Sequence, residues 1–124
     1  MNIIDYKINE NKLDKLIETA ISQKMSDIQI YVNYDTFQII LAQLKRGIEL
    51  KYKDDETIIY YMGVPFMIDK DLNFGEANIC GYKEKECTRV TCYSDGTPVK
   101  IEKNIKEKIY TCIEWGFYEI IFWK

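Results

Sequence analysis

Histidine is absent from the 124 residues, and that removes the commonest hydrolytic chemistry. A serine or cysteine nucleophile of the triad type uses an imidazole to take its proton and return it. Ser22, Ser26 and Ser94 fall near the end of an expected helix and in an Asp-Gly turn, where a hydroxyl serves local hydrogen bonding. Thiolates can ligate zinc without histidine, but Cys80, Cys87, Cys92 and Cys112 contain no C-x-x-C knuckle. They read more simply as small buried hydrophobes. Lys85 and Arg89 flank Cys87 and keep a reactive thiol open, because neighbouring cations favour the thiolate.

Oxygen chemistry is offered by Asp69, Asp71 and Asn73, spaced like the first three ligands of a calcium loop. The loop then needs glycine at its sixth residue and a bidentate glutamate at its twelfth, and the chain has Phe74 and Cys80 there. A turn with exposed acids is the better reading. Asp69 with Glu76 could do acid/base work, but such a pair is indistinguishable in sequence from a solvated face. The six glycines are too scattered for a phosphate cradle. No catalytic residue, cofactor or metal is therefore expected.

Ten tyrosines are more than a core of this size needs. On alternating strands several must face outward, and tyrosine is enriched where proteins meet proteins. The stretch "YYMGVPFMIDKDLNFGEA", residues 60–77, concentrates the interest. It reads as a β-hairpin, with Gly63-Val64-Pro65 setting one reversal and residues 69–75 the next. Adjacent strand residues point to opposite faces, so one of Tyr60 and Tyr61 should enter the core and the other stay free for a partner. Candidate binding residues are Tyr60, Tyr61, Phe74 and Glu76 beside the hairpin, with Lys85 and Arg89 around Cys87.

The elements that must position these residues follow from periodicity. Ile4, Tyr6 and Ile8 alternate as a short strand, and Leu13, Leu16, Ile17, Ala20 and Ile21 recur at helical steps behind Asn9 or Asn11 as a cap. "IQIYVNY" reads as a half-buried strand. A second helix capped by Asp35 or Thr36 presents Phe37, Ile40, Leu41 and Leu44 and stops at Gly47. Residues 48–93 break into short β segments suited to an antiparallel meander, with "EANICGY" and "TRVTCY" as separate strands and "SDGTP" as a turn. Residues 105–115 match a helical face with Asn104 and Glu107 as a capping box and Gly116 as a stop. A hairpin of the flanking β-formers about residues 114–116 is the alternative. A strand at 117–123 closes the chain. The fold class expected is α+β, with two to three helices packed on a mainly antiparallel β-sheet, in a single domain spanning residues 1–124.

A formal charge of −3 argues against a nucleic-acid partner, whose binding rests on releasing phosphate counterions. No apolar run is long enough to span a bilayer, and the first residues lack a secretory pattern. A cytoplasmic location in a host cell is the expectation, and the four cysteines should then remain thiols.

Around Gly63-Val64-Pro65, with Tyr60 and Tyr61 before it and an apolar run to Leu72 after it, the chain resembles a hairpin of structural proteins of tailed bacteriophages, capsid proteins among them. The preceding "IYVNYDTFQIILAQLKRG" is similar to the strand–helix unit found before it there. The resemblance spans residues 28–76 and implies a phage or mobile-element origin. Small tyrosine-rich proteins of that origin include anti-CRISPR inhibitors of host defence, which act by occupying a surface. The function this implies is a non-enzymatic module that binds and blocks a host protein, with a homodimer open through β-edge pairing or exposed aromatics. A minor phage structural protein, a thiol-based enzyme and a small-ligand-binding protein stand as alternatives.

Overall fold

Alternation and capping build the first half of the chain. In the computed structural model, which describes residues 3–113 and 118–123, a 3-10 turn at Ile3–Asp5 leads into strand β1 (Tyr6–Ile8) and helix α1 (Glu10–Ser22). Asn9 caps α1 by accepting the Lys12 N–H, one of the donors that a helix start leaves without a partner. Leu13, Leu16, Ile17 and Ala20 form the buried stripe. Ile21, expected on it, is exposed: eight residues of helix carry it about 80° round from Leu13.

Strand β2 (Ser26–Val32) buries Ile30 and Val32 completely, and helix α2 (Tyr34–Gln43) follows. Asn33, one residue before the helix, is the cap, in place of Asp35 or Thr36; its side chain accepts the Thr36 N–H at 2.8 Å. Thr36 is thereby freed for the core, where its hydroxyl oxygen accepts the Gly75 N–H at 2.9 Å. The buried face is Thr36, Ile39, Ile40 and Leu44, so the expected face is rotated and Leu41 lies outside it. Gly47 does not stop this helix, which ends at Gln43; its carbonyl accepts the Met62 N–H instead.

Seven more strands follow: β3 (Ile48–Lys53), β4 (Glu56–Tyr61), β5 (Val64–Ile68), β6 (Glu76–Cys92), β7 (Pro98–Cys112), β8 (Tyr118–Glu119) and β9 (Ile121–Trp123). The main sheet runs β3-β4-β5-β2-β6-β7, with β8 also on β6, while β1 pairs with β9. The expected meander holds only for β3-β4-β5. β2 inserts between β5 and β6, parallel to β5 and antiparallel to β6, because the chain returns to it by the α2 crossover. Such a central position suits a strand whose Ile30 and Val32 lose all contact with water.

Two expectations on the second half are corrected. The segments expected at 76–82 and 88–93 fall in one continuous strand, β6, which ends at Cys92. Residues 105–112 are strand, not helix, because β6 supplies a ladder of partners from Cys80↔Cys112 outward. The remainder of that expected helix, its stop at Gly116 and the start of the final strand at residue 117 lie outside the described residues. β8 pairs with β6 and β9 with β1, so neither forms the alternative hairpin with the residues before 113.

The buried residues form one cluster between the two helices and the sheet face that carries Ile30, Val32, Ile59, Tyr61, Val64, Phe66, Ala77 and Ile79. β1 joins it through Gln43, whose side-chain amide accepts the Ile8 N–H at 2.9 Å and donates to the Tyr6 carbonyl at 2.7 Å. That amide occupies the edge of β1 as a neighbouring strand would.

Candidate functional site

Pairing of Tyr61 with Val64 leaves Met62 and Gly63 as the two-residue turn between β4 and β5, both with positive φ, as a right-twisted hairpin requires. The reversal thus lies one residue earlier than expected, and Val64 and Pro65 already belong to β5. This register decides the fate of the tyrosine pair. Tyr61 is 4% exposed and donates its hydroxyl to the Asp14 carboxylate on α1. Burial and that carboxylate hold its pKa well above the ordinary phenol value. Tyr60 lies on the opposite face, half-buried, across from Pro65, with the Lys51 ammonium 4.5 Å from its ring centre.

No helix covers Tyr60's face of the sheet among the described residues. Following the registers outward from Ile30↔Ile79, which face the core, assigns the neighbouring positions to this open side. They include Tyr60 and Ile58 on β4, Pro65 and Met67 on β5, Tyr31 and Gln29 on β2, Tyr82 on β6 and Tyr110 on β7. Tyr82 and Tyr110 meet edge to face with ring centres 5.3 Å apart. Tyr110 donates its hydroxyl to that of Tyr31 at 3.2 Å, and Tyr31 donates to Gln29 Oε1 at 2.7 Å. The bond to Tyr31 is the main reason the Tyr110 pKa is pushed up to about 12. The relay ties β7 to β2 across β6, and the ring contact adds Tyr82 of β6.

Cys80 and Cys112, opposite each other across β6 and β7, lie on this same side and are joined by a disulfide. The expectation that all four cysteines remain thiols is corrected. β-pairing brings these two Cα atoms to 4.0 Å, a juxtaposition that sequence spacing could not reveal while 105–112 read as helix. Cys87 and Cys92 are the free thiols.

The other expected site residues scatter. Phe74 packs on the core side, edge-on to Tyr6 at 5.0 Å. Glu76 accepts a hydrogen bond from Asn73 Nδ2 at 3.4 Å. Lys85 and Arg89 are exposed on the outer half of β6. Arg89 is engaged by Glu107 at 3.0 Å, and the second oxygen of that carboxylate lies 3.7 Å from Cys87 Sγ. Of the six, Tyr60 and, by alternation from the buried Ala77, Glu76 lie on the tyrosine side, and Tyr31, Met67, Tyr82 and Tyr110 were not among the expected binding residues. Alternation in "IQIYVNY" was the available signal for Tyr31.

The chain matches no known family model, no curated protein and no solved structure. Its site must be read from geometry. Asp69 accepts the Asp71 N–H at 2.9 Å, so this acid shapes its own turn. Among the described residues no three cysteine or carboxylate side chains are grouped to hold a metal ion. An open groove of about 440 Å³, lined by Lys7, Asn9, Glu10, Gln43 and Phe122, runs beside β1 on the helix side.

Proposed function

We propose that this chain is a non-enzymatic protein-binding module that takes its partner on the helix-free tyrosine face. The carrying observation is the convergence of Tyr31, Tyr60, Tyr82 and Tyr110 on the side of the sheet that no helix covers among the described residues, with Met67 among them. Rings already fixed by a hydroxyl relay lose little freedom on binding, and each offers broad apolar area with a polar tip. A protein surface can use both.

Sheet extension along β7 is disfavoured as the binding mode. The outer edge of β7 carries Lys100, Lys103, Lys106 and Lys108 and bends at Asn104, whose φ is +61°. Lysines and a bulge are the devices by which proteins protect an edge from foreign strands. That edge being protected, the proposed place of the partner is the face. The narrower reading, a phage-derived inhibitor that blocks a host defence protein, draws its support from the resemblance around Gly63-Val64-Pro65 alone, and a minor phage structural protein would use the same face.

The tyrosine pair supplies the test. Tyr60→Ala should abolish capture of a partner from bacterial lysate while shifting the melting temperature little. Tyr61→Ala should lower the melting temperature sharply, with a loss of stability of about 3–5 kcal/mol, typical of emptying a buried aromatic site. Unchanged capture by the Tyr60→Ala protein would count against the proposal.

A further inference from the structure

Beyond Tyr82↔Tyr110, β6 and β7 pair only with each other, out to Cys92↔Pro98 and the turn at residues 93–97. An isolated two-stranded ribbon is marginal in water, so this one has reason to be covered. Its two sides differ. One holds the Arg89–Glu107 ion pair with Cys87 and Ile105, and most of these are partly buried by one another. The other displays, layer by layer, Tyr82 opposite Tyr110, Glu84 opposite Lys108, Glu86 opposite Lys106 and Val90 opposite Ile101. All eight are exposed, and the four charged ones form no ion pair within the described residues.

In that second pattern both acids lie on β6 and both bases on β7, between an aromatic layer at the root and an aliphatic layer near the tip. Such a surface is complementary to itself under one symmetry. A two-fold axis running along the ribbon lays β6 of one copy over β7 of another, so every Glu meets a Lys and every apolar layer meets its like. A two-fold across the ribbon would stack Glu on Glu and Lys on Lys. We infer that this side of the ribbon is the contact between two copies of the chain, related by a two-fold along its length. Tyr82 and Tyr110 pass from the tyrosine face into this contact, while Tyr31, Tyr60 and Met67 stay open, so the dimer presents two partner-binding faces built on those three, and its mass is read without reference to partner capture.

Eight side chains per copy are fewer than the roughly 20–30 of a standard interface, so dissociation at about micromolar concentration or above is expected. Analytical ultracentrifugation over a concentration series tests it. The wild-type chain should rise from 14.8 kDa towards twice that mass, and added salt should oppose the rise. Glu84→Lys with Glu86→Lys makes both strands basic, and Lys106→Glu with Lys108→Glu makes both acidic; each double variant should associate at least about tenfold more weakly. Mixing the two should give a heterodimer, and the fourfold exchange should restore the homodimer. Far-UV circular dichroism verifies folding. Should a double variant unfold, the fourfold exchange, which keeps opposite charges facing each other within the ribbon, and Val90→Ser with Ile101→Ser decide: the first must dimerise and the second must not. A wild-type monomer throughout the series, or folded acidic and basic variants that ignore each other, overturns the inference.

Discussion

Tyr61 couples one side-chain hydroxyl to the stability of the whole hairpin. Its bond to Asp14 ties β4 to α1, and Tyr61→Phe should cost about 1 kcal/mol at neutral pH, read by denaturant unfolding. The same substitution should alter the alkaline limb. In the unfolded chain the phenol ionises near its ordinary 10, while in the fold it stays protonated to higher pH. Below that value both states hold the proton and the contribution is constant; above it the unfolded state holds fewer protons, so stability falls as pH rises. Wild-type protein should lose stability there more steeply than Tyr61→Phe, and equal slopes would refute the assignment. Gln43 is the second informative residue. Gln43→Ala leaves the Ile8 N–H and the Tyr6 carbonyl without their amide partner, at a cost of about 1–3 kcal/mol, and exchange of the Ile8 amide should accelerate.

At the scale of elements, the root of the β6–β7 ribbon is held by the Cys80–Cys112 disulfide. A loop with a sequence separation of 32 stabilises by about 3–4 kcal/mol in the chain-entropy model, so Cys80→Ser with Cys112→Ser should lower the melting temperature substantially. Iodoacetamide in denaturant should label two cysteines before reduction and four after; four at once would contradict the bond. The same strands mark where the sequence was ambiguous. Ile105, Ile109 and Ile113 recur in steps of four, which satisfies a helical face and also an alternating strand, four being a multiple of two. Only a partner strand resolves that, and β6 is distant enough in sequence to leave no local sign. In α2 the cap decided the outcome: with Asn33 in that role, Thr36 turns into the core and Leu41 turns out.

For the whole molecule, what local patterns specify was legible and what pairing specifies was not. The α+β class, both helices and the division of Tyr60 from Tyr61 follow from periodicity alone. The insertion of β2 between β5 and β6 is a tertiary choice, and it is this insertion that brings Tyr31 beside Tyr110 to complete the tyrosine face. The six residues expected from the sequence lie near one another along the chain, whereas the face draws on five strands. Site-specific photo-cross-linking tests the partner-binding face most directly. A photoreactive aromatic placed at position 31 or 60, and separately at the exposed positions 34 and 52 away from that face, is irradiated in bacterial lysate. A discrete protein adduct from 31 and 60, absent from 34 and 52, is the expected result; adducts from 34 or 52 with none from 31 and 60 would place the partner elsewhere and contradict the proposed function.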